Sequence, residues 1–361
     1  MMNLEEFYKD KKVLITGHTG FKGSWLCSVL VRLGANVTGY SNNIPTEPSA
    51  HKLLEINDKV ASVFGDIRDF DEILKVMQNV KPDIVFHLAA QPLVIDSYKD
   101  PVLTYDTNVM GTVHLLEAAR NVESVHSIVV ITTDKVYENK EWFWGYRESD
   151  VLNGFDPYSN SKSCAELVTS SYMKSFFARE GVAVSTCRAG NVIGGGDFAK
   201  DRIIPDCFRA ITGNAELILR NPNATRPYQH VLEPICSYLE IGMKQYQNSS
   251  LAGQYNIGPL EEDCYTTESI VKKFYFYWET NMNYIVKNNG ELHEAGMLKL
   301  DSSKIKAVFG IVPIWDLDTA IRMTTEWYKK YYEEVDIWVC TQNQIEAYLR
   351  DRYEKKLFER G

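Results

Sequence analysis

The sequence has no C-x-x-C pair and no histidines at metal-ligand spacing, so no zinc site or dithiol redox pair is encoded and no metal is expected. Its seven cysteines (Cys27, Cys164, Cys187, Cys207, Cys236, Cys264 and Cys340) lie far apart, as reduced thiols of a cytoplasmic protein do. No apolar run approaches the ~20 residues that cross a bilayer. The start, MMNLEEFYKDKK, places acids before any apolar run, which reads against a signal peptide. Positive charge is also scarce. A net charge of −9 argues against nucleic acid or an anionic membrane surface as partner. Internal repeats and low-complexity segments are missing too.

What is present is ample core material: 361 residues, 45% of them hydrophobic and 24% charged. In the first half, short apolar runs alternate with amphipathic helical patterns. The strands read as 12–16, 36–40, 60–64, 83–89, 127–132 and 182–188. Helices read as 23–33, 69–79, 103–121 and 157–179. Unbroken apolar strands between helices indicate a parallel sheet covered on both faces, and right-handed crossovers make it a doubly wound α/β fold of Rossmann type. After Arg188 the texture changes to loops and shorter elements, with a helix near 233–246 and a strand at 254–258. The expected organisation is a nucleotide-binding domain over 1–190, to which 226–258 returns. A smaller, interleaved C-terminal lobe for substrate takes most of 191–361.

In LITGHTGFKG, Gly17, Gly20 and Gly23 follow the first strand and open a helix. Glycines there let the backbone turn tightly and approach a pyrophosphate, which then sits on helix N–H groups. NAD sites place an acid after the second strand. Here that place reads Tyr40-Ser41-Asn42-Asn43, and His18 and Lys22 stand near enough in sequence to keep NADP open. Asp66 in GDIRD is either a contact to the adenine amino group or a helix N-cap.

The fifth strand ends in Thr132, Thr133, Asp134 and Lys135, an acid beside a base where a parallel sheet binds its ligand. Downstream, DPYSNSKSCAEL carries Tyr158 and Lys162 four apart, on one helix face. A neighbouring ammonium favours phenolate, and such a tyrosine takes a proton from an alcohol while hydride leaves the same carbon.

These residues, with TGHTGFKG, DIRD, HLAAQ, TNVMGT, TTDKVY and YSNSK, resemble the extended short-chain dehydrogenase/reductase family over essentially the whole chain. The resemblance sharpens to the nucleotide-sugar 4,6-dehydratases, whose Thr-Asp-Glu trio is here Thr133-Asp134-Lys135. GHTGFKGSWL, TTDKVYENKEW, RAGNVIGGGD, NATRPYQHVLEP and HEAGMLKLDSSK are similar to the CDP-sugar branch. The resemblance implies an NAD-dependent hydro-lyase making a 4-keto-6-deoxy sugar nucleotide, for deoxysugars of bacterial surface polysaccharide. Tyr158 would be the base at O4, supported by Lys162 and Thr133. Asp134 would protonate the leaving C6 oxygen. Lys135 would act at C5, either as a neutral base or as a charge beside the C4 enolate.

By the same resemblance the cofactor is held by Gly17, Thr19, Gly20, Phe21, Gly23, Asp66, Ile67, Leu88, Ala89, Ala90, Asn108, Tyr158 and Lys162. The substrate side takes Gln91, Asn191, Arg202, Arg220, Arg226, His230 and His293, with Glu294 beside the last. The arginines suit a diphosphate. Relatives pair two helices per subunit into four-helix bundles, so 103–121 and 157–179 imply a homodimer or homotetramer. Three alternatives compete: a GDP- or UDP-sugar 4,6-dehydratase, a C4 epimerase, which needs no acid–base pair after the strand, and a non-catalytic NAD-binding regulator.

Overall fold

Each apolar run of the first half becomes a strand of one sheet. In the computed structural model, which describes residues 3–287 and 297–358, the strands are β1 (Lys12–Thr16), β2 (Asn36–Ser41), β3 (Ala61–Phe64), β4 (Ile84–His87), β5 (Ser127–Ile131), β6 (Ala183–Ala189) and β7 (Gln254–Ile257). They lie in the order β3-β2-β1-β4-β5-β6-β7, every pair parallel. The winding direction reverses between β1 and β4, the switch point where open α/β sheets bind ligands.

β4, β5 and β6 are buried along their whole length because helices cover both faces. Alternation along β1 divides the core. Val13 and Ile15 join Trp25 and Leu26 of α1 (Phe21–Arg32) on one face. Leu14 joins Ile73 and Met77 of α2 (Phe70–Val80) and Leu115 of α3 (Gly111–Arg120) on the other. Burying each such side chain contributes about 1.5–3 kcal/mol.

α3 continues a helix that begins at Pro101, and the turn between, Asp106–Met110, is wound as a π-helix. α4 (Pro157–Tyr172) starts sharply: Asp156 caps it by accepting from the Ser159 N–H at 3.0 Å, and Pro157 occupies the first turn. That start sets the position of Tyr158.

The segment after residue 190 divides. α5 (Ile203–Thr212) and the pair of short strands Leu217–Leu219 and Tyr284–Val286 form the lobe above the strand ends. α6 (Leu232–Gln247) and β7 return to the sheet. α8 (Ile337–Phe358) also packs against the nucleotide half, on α1, whereas α7 (Leu317–Tyr332) lies between α8 and the lobe helix Thr267–Trp278. The docking of α8 differs from a capping role for the whole C-terminal stretch. The reason is a set of contacts to the nucleotide half: Gln342 donates to the Ser28 carbonyl, and Tyr348 donates to Glu233 on α6. Among the described residues no helix is long and apolar enough to cross a membrane.

Candidate active site

Two of the loop glycines are required by close approach. A Cβ on Gly17, whose φ is +77°, would meet the Ala89 nitrogen at 2.7 Å, and one on Gly23 would meet the Gly17 carbonyl oxygen at 2.2 Å. Gly20 is different. It caps α1 without a side-chain bond, and a Cβ there would find only the Gly17 oxygen, at 3.5 Å. The first turn of α1 therefore presents bare N–H groups, with Thr19, Gly20, Phe21 and Lys22, to a cavity of about 1750 Å³. Thr19 anchors the loop by donating to the Asn43 carbonyl at 2.6 Å.

The two cations proposed for a 2′-phosphate are not available to it. His18 is fully buried, bonded to Ser41 at 2.8 Å and Ser62 at 3.1 Å, and burial lowers its pKa to about 4, so it is neutral. Lys22 faces the catalytic cluster, where it feels Arg202, Asp134 and Asp197. Asp66 holds Arg68 (2.7 Å) at the edge of a separate, shallow cavity, and the α2 cap is Asp69 instead. Ile67 is core, packed on Gly111. Leu88 and Ala89 back Gly17, with Ala90 following in the same loop. Asn108 is buried on the π turn, accepting from the Gln91 N–H and donating to the Gln91 carbonyl and to Ser161. It ties the loop after β4 to α4, so it acts through the loop.

At the end of β5, Thr133 Oγ1 is a junction. It donates to Asp134 Oδ1 at 3.0 Å, accepts weakly from the Lys135 N–H at 3.4 Å, and lies near enough to the Tyr158 phenol to act on it. Asp134 is 2% exposed, and its Oδ2 has no hydrogen-bond partner among the described residues. Burial raises its pKa above the usual carboxylate range, against the pull of Lys135, Thr133, Arg226 and Lys22. Burial thus moves the carboxyl toward its protonated form, the direction a general acid needs. Lys135 is half-buried on the cavity wall, with no side-chain hydrogen bond or ion pair among the described residues.

Tyr158 and Lys162 share the inner face of α4, yet the couple is not self-activating. Burial pushes the Tyr158 phenol up to about 12, the nearby Asp134 adds to the rise, and Thr133 only opposes it. Lys162 is lowered to about 8 by burial and by the charge of Lys22, and its Nζ donates to the Ile131 carbonyl at 3.3 Å. The phenolate-favouring effect expected of the ammonium is not among the influences that set the Tyr158 pKa, the largest of which is desolvation.

On the substrate side, Asn191, Arg202, Arg220 and Arg226 all line the cavity. Arg202 pairs with Asp197 at 2.8 Å and acts on Tyr158, Arg220 pairs with Asp201, and Arg226 is buried. His230 is not brought there. It is fully buried between Trp25 and Trp315 and accepts from the Leu232 N–H, so it belongs to the core at the start of α6. Gln91 spends its side chain on Leu93 and Thr104 within its own loop. His293 and Glu294 lie outside the described residues.

Two participants escaped the motif reading. One is Lys22, in the cavity beside Asp134. The other is a buried ion pair behind the site, Glu166 with Arg188 at 2.9 Å. An arginine inside a fully buried strand, β6, was the available signal, since buried charge demands a partner.

Comparison with known proteins agrees with this geometry. The family model described as GDP-mannose 4,6 dehydratase matches residues 14–324. CDP-glucose 4,6-dehydratase of Salmonella typhimurium is 45% identical over 351 residues, covering 96% of this chain and 98% of that protein. Among solved structures, a UDP-glucose 4-epimerase of Thermotoga maritima with UDP-glucose superposes with a TM-score of 0.78 at 20% identity, over 89% of this chain and 99% of that one. A UDP-glucose 4-epimerase of Stenotrophomonas maltophila with bound NAD gives 0.78 at 19% identity, over 90% and 100%. Those two establish likeness of fold. The chain belongs to the GDP-mannose 4,6-dehydratase family, nucleotide-sugar enzymes of the extended short-chain dehydrogenase/reductase type.

Proposed function

We propose that this protein is an NAD-dependent hydro-lyase that converts CDP-glucose to CDP-4-keto-6-deoxyglucose, a step toward deoxysugars of surface polysaccharide. The observation that carries the reading is Asp134, a buried carboxyl with a raised pKa and one oxygen without a hydrogen-bond partner among the described residues, on the cavity wall it shares with Tyr158. An epimerase needs no such acid. The long match to the Salmonella enzyme supports cytidine as the base.

The residues fit NAD. Gly20 and the open first turn of α1 make a cradle for a pyrophosphate, and neither His18 nor Lys22 offers a cation to a 2′-phosphate. When bound, that cofactor would supply the acceptor for the C4 hydride and the donor that returns it to C6 after water has left, so no net reduction accumulates. Tyr158 takes the O4 proton. Oxidation at C4 acidifies the C5 hydrogen, which Lys135 serves as neutral base or as counter-charge to the enolate. Asp134 gives its proton to the C6 oxygen, which leaves as water. Arg202, Arg220, Arg226 and Asn191 hold the diphosphate end. Exposed Val102, Met110 and Leu167 lie on the two helices proposed to pair subunits into a dimer or tetramer.

The direct experiment is incubation with CDP-glucose and detection of the keto-deoxy product by its absorbance in alkali. Product should form with no net reduction of NAD, and more slowly from GDP-mannose or UDP-glucose. Absence of product from CDP-glucose alone among these sugars would overturn the substrate, and absence from all would overturn the activity. The cofactor site has its own check. Gly20→Val has room to fold but sets a side chain against the pyrophosphate, so NAD affinity should drop at least ~10-fold with the thermal midpoint kept. Unchanged affinity by calorimetry would show that the loop is only a turn.

A further inference from the structure

Tyr158, Lys162 and Glu166 are spaced four apart on α4, so all three point inward from one face. Glu166 is 1% exposed and lies behind the reacting groups. Its two oxygens have separate tasks. Oε1 accepts from Thr132 Oγ1 at 2.6 Å, at the end of β5 and one residue before the Thr133 junction. Oε2 accepts from Thr186 at 2.6 Å and from the Arg188 guanidinium at 2.9 Å, both on β6. The Lys162 ammonium lies in the field of the same carboxylate.

We propose that Glu166 is a positioning residue of this site: its carboxylate ties the catalytic loop to the helix carrying Tyr158 and Lys162, and supplies counter-charge for the Lys162 ammonium. The Thr132 bond fixes where β5 ends relative to α4. Thr133 must reach Tyr158 and Asp134 at once, so a small slip at Thr132 separates the O4 base from the C6 acid. Arg188 sits on the far oxygen, is held by Tyr137 at 2.8 Å, and makes the anion tolerable in the interior. Lys162 is otherwise faced by His87 from β4, which is buried and neutral, and by Lys22 from α1, which opposes its charge. Beside the Ile131 carbonyl, the support for the ammonium comes from Glu166.

The inference rests on the dehydratase reading for its kinetic arm and is independent of it for its titration arm. Thr132→Val removes the bond to Oε1 without altering charge. It should lower kcat about 10-fold, the effect of about 1.4 kcal/mol, with KM for CDP-glucose within ~2-fold, and Thr132→Ser should restore kcat. In Glu166→Gln the Lys162 ammonium loses its counter-charge, so it should deprotonate at lower pH than in the parent. That is read without turnover by carbon-13 NMR of labelled lysine Cε, with the Lys162 signal assigned by Lys162→Met. Parent-like kcat in Thr132→Val, failure of serine to restore it, or an unmoved Lys162 titration would each overturn the positioning role. Should Glu166→Gln not fold, the Thr132 pair still decides it. An inactive parent with a shifted Lys162 titration would sink the proposed reaction and leave the positioning role standing.

Discussion

Phenylalanine in place of Tyr158 is expected to cut turnover by at least ~100-fold, the usual cost of losing a general base. The ring is kept, so packing on α4 and the Asp156 cap persist, and NAD affinity should stay within ~2-fold. The size of the loss follows from the position of the hydroxyl. It lies beside Thr133 and in the field of Asp134, and stands on the same face as Lys162. Among the described residues no other phenol joins Thr133 and Asp134 in the cavity wall, because the next tyrosine there, Tyr137, is committed to Asn256 and Arg188. The proton held by the Tyr158 phenol up to about 12 in the ligand-free chain is the one that must go, so parent C4 oxidation should quicken as pH rises. Tyr158→Phe should lose that dependence along with the rate. Near-normal turnover in this variant would remove Tyr158 from the O4 step.

The parts of this site that periodicity encodes were legible in the chain. β1 and β5 are unbroken apolar runs because helices bury both faces, and a glycine loop between strand and helix has little other use than a pyrophosphate. Tyr158 and Lys162 follow from helical spacing alone. What periodicity does not encode was misplaced. His230 has the composition of a ligand contact, but the turn into α6 directs it between two tryptophans. Gln91 and Asn108 resemble binding residues, yet they satisfy one another's loop, which only the tertiary approach of β4 and α4 makes possible. α8 went unread because it docks through polar groups, with Thr341 accepting from Trp327 and Arg352 meeting Glu240, and these interrupt its apolar stripe. Desolvation is hidden for a related reason: spacing reports the neighbouring charge of Lys162 but is silent on burial, the first influence on the Tyr158 phenol.

Asparagine at position 134 should stall the reaction after C4 oxidation rather than abolish its start. The substitution keeps the size of the side chain and the acceptor for Thr133, and it removes the titratable carboxyl proposed to deliver the proton. Tyr158, Lys162 and the glycine loop are untouched, so the hydride should still leave C4. Without an acid, expulsion of hydroxide from C6 is slowed by about 10² to 10⁴-fold. The reduced cofactor should then accumulate and persist in a single turnover with saturating CDP-glucose, where the parent returns the hydride within each cycle. Arg226 and Lys22 both act on Asp134, and removing its charge alters their surroundings, so substrate affinity must be measured alongside. A change in affinity alone moves the concentration needed for saturation and leaves the spectrum of the turnover unaltered. Asp134→Glu keeps an acid but extends it by one methylene in a closed pocket, and it should recover elimination only in part. Absence of both accumulated reduced cofactor and slowed elimination in Asp134→Asn would mean that the proton comes from elsewhere. Lys135 is then the nearest remaining donor, since it lines the same wall and acts on Asp134 more strongly than any other charge.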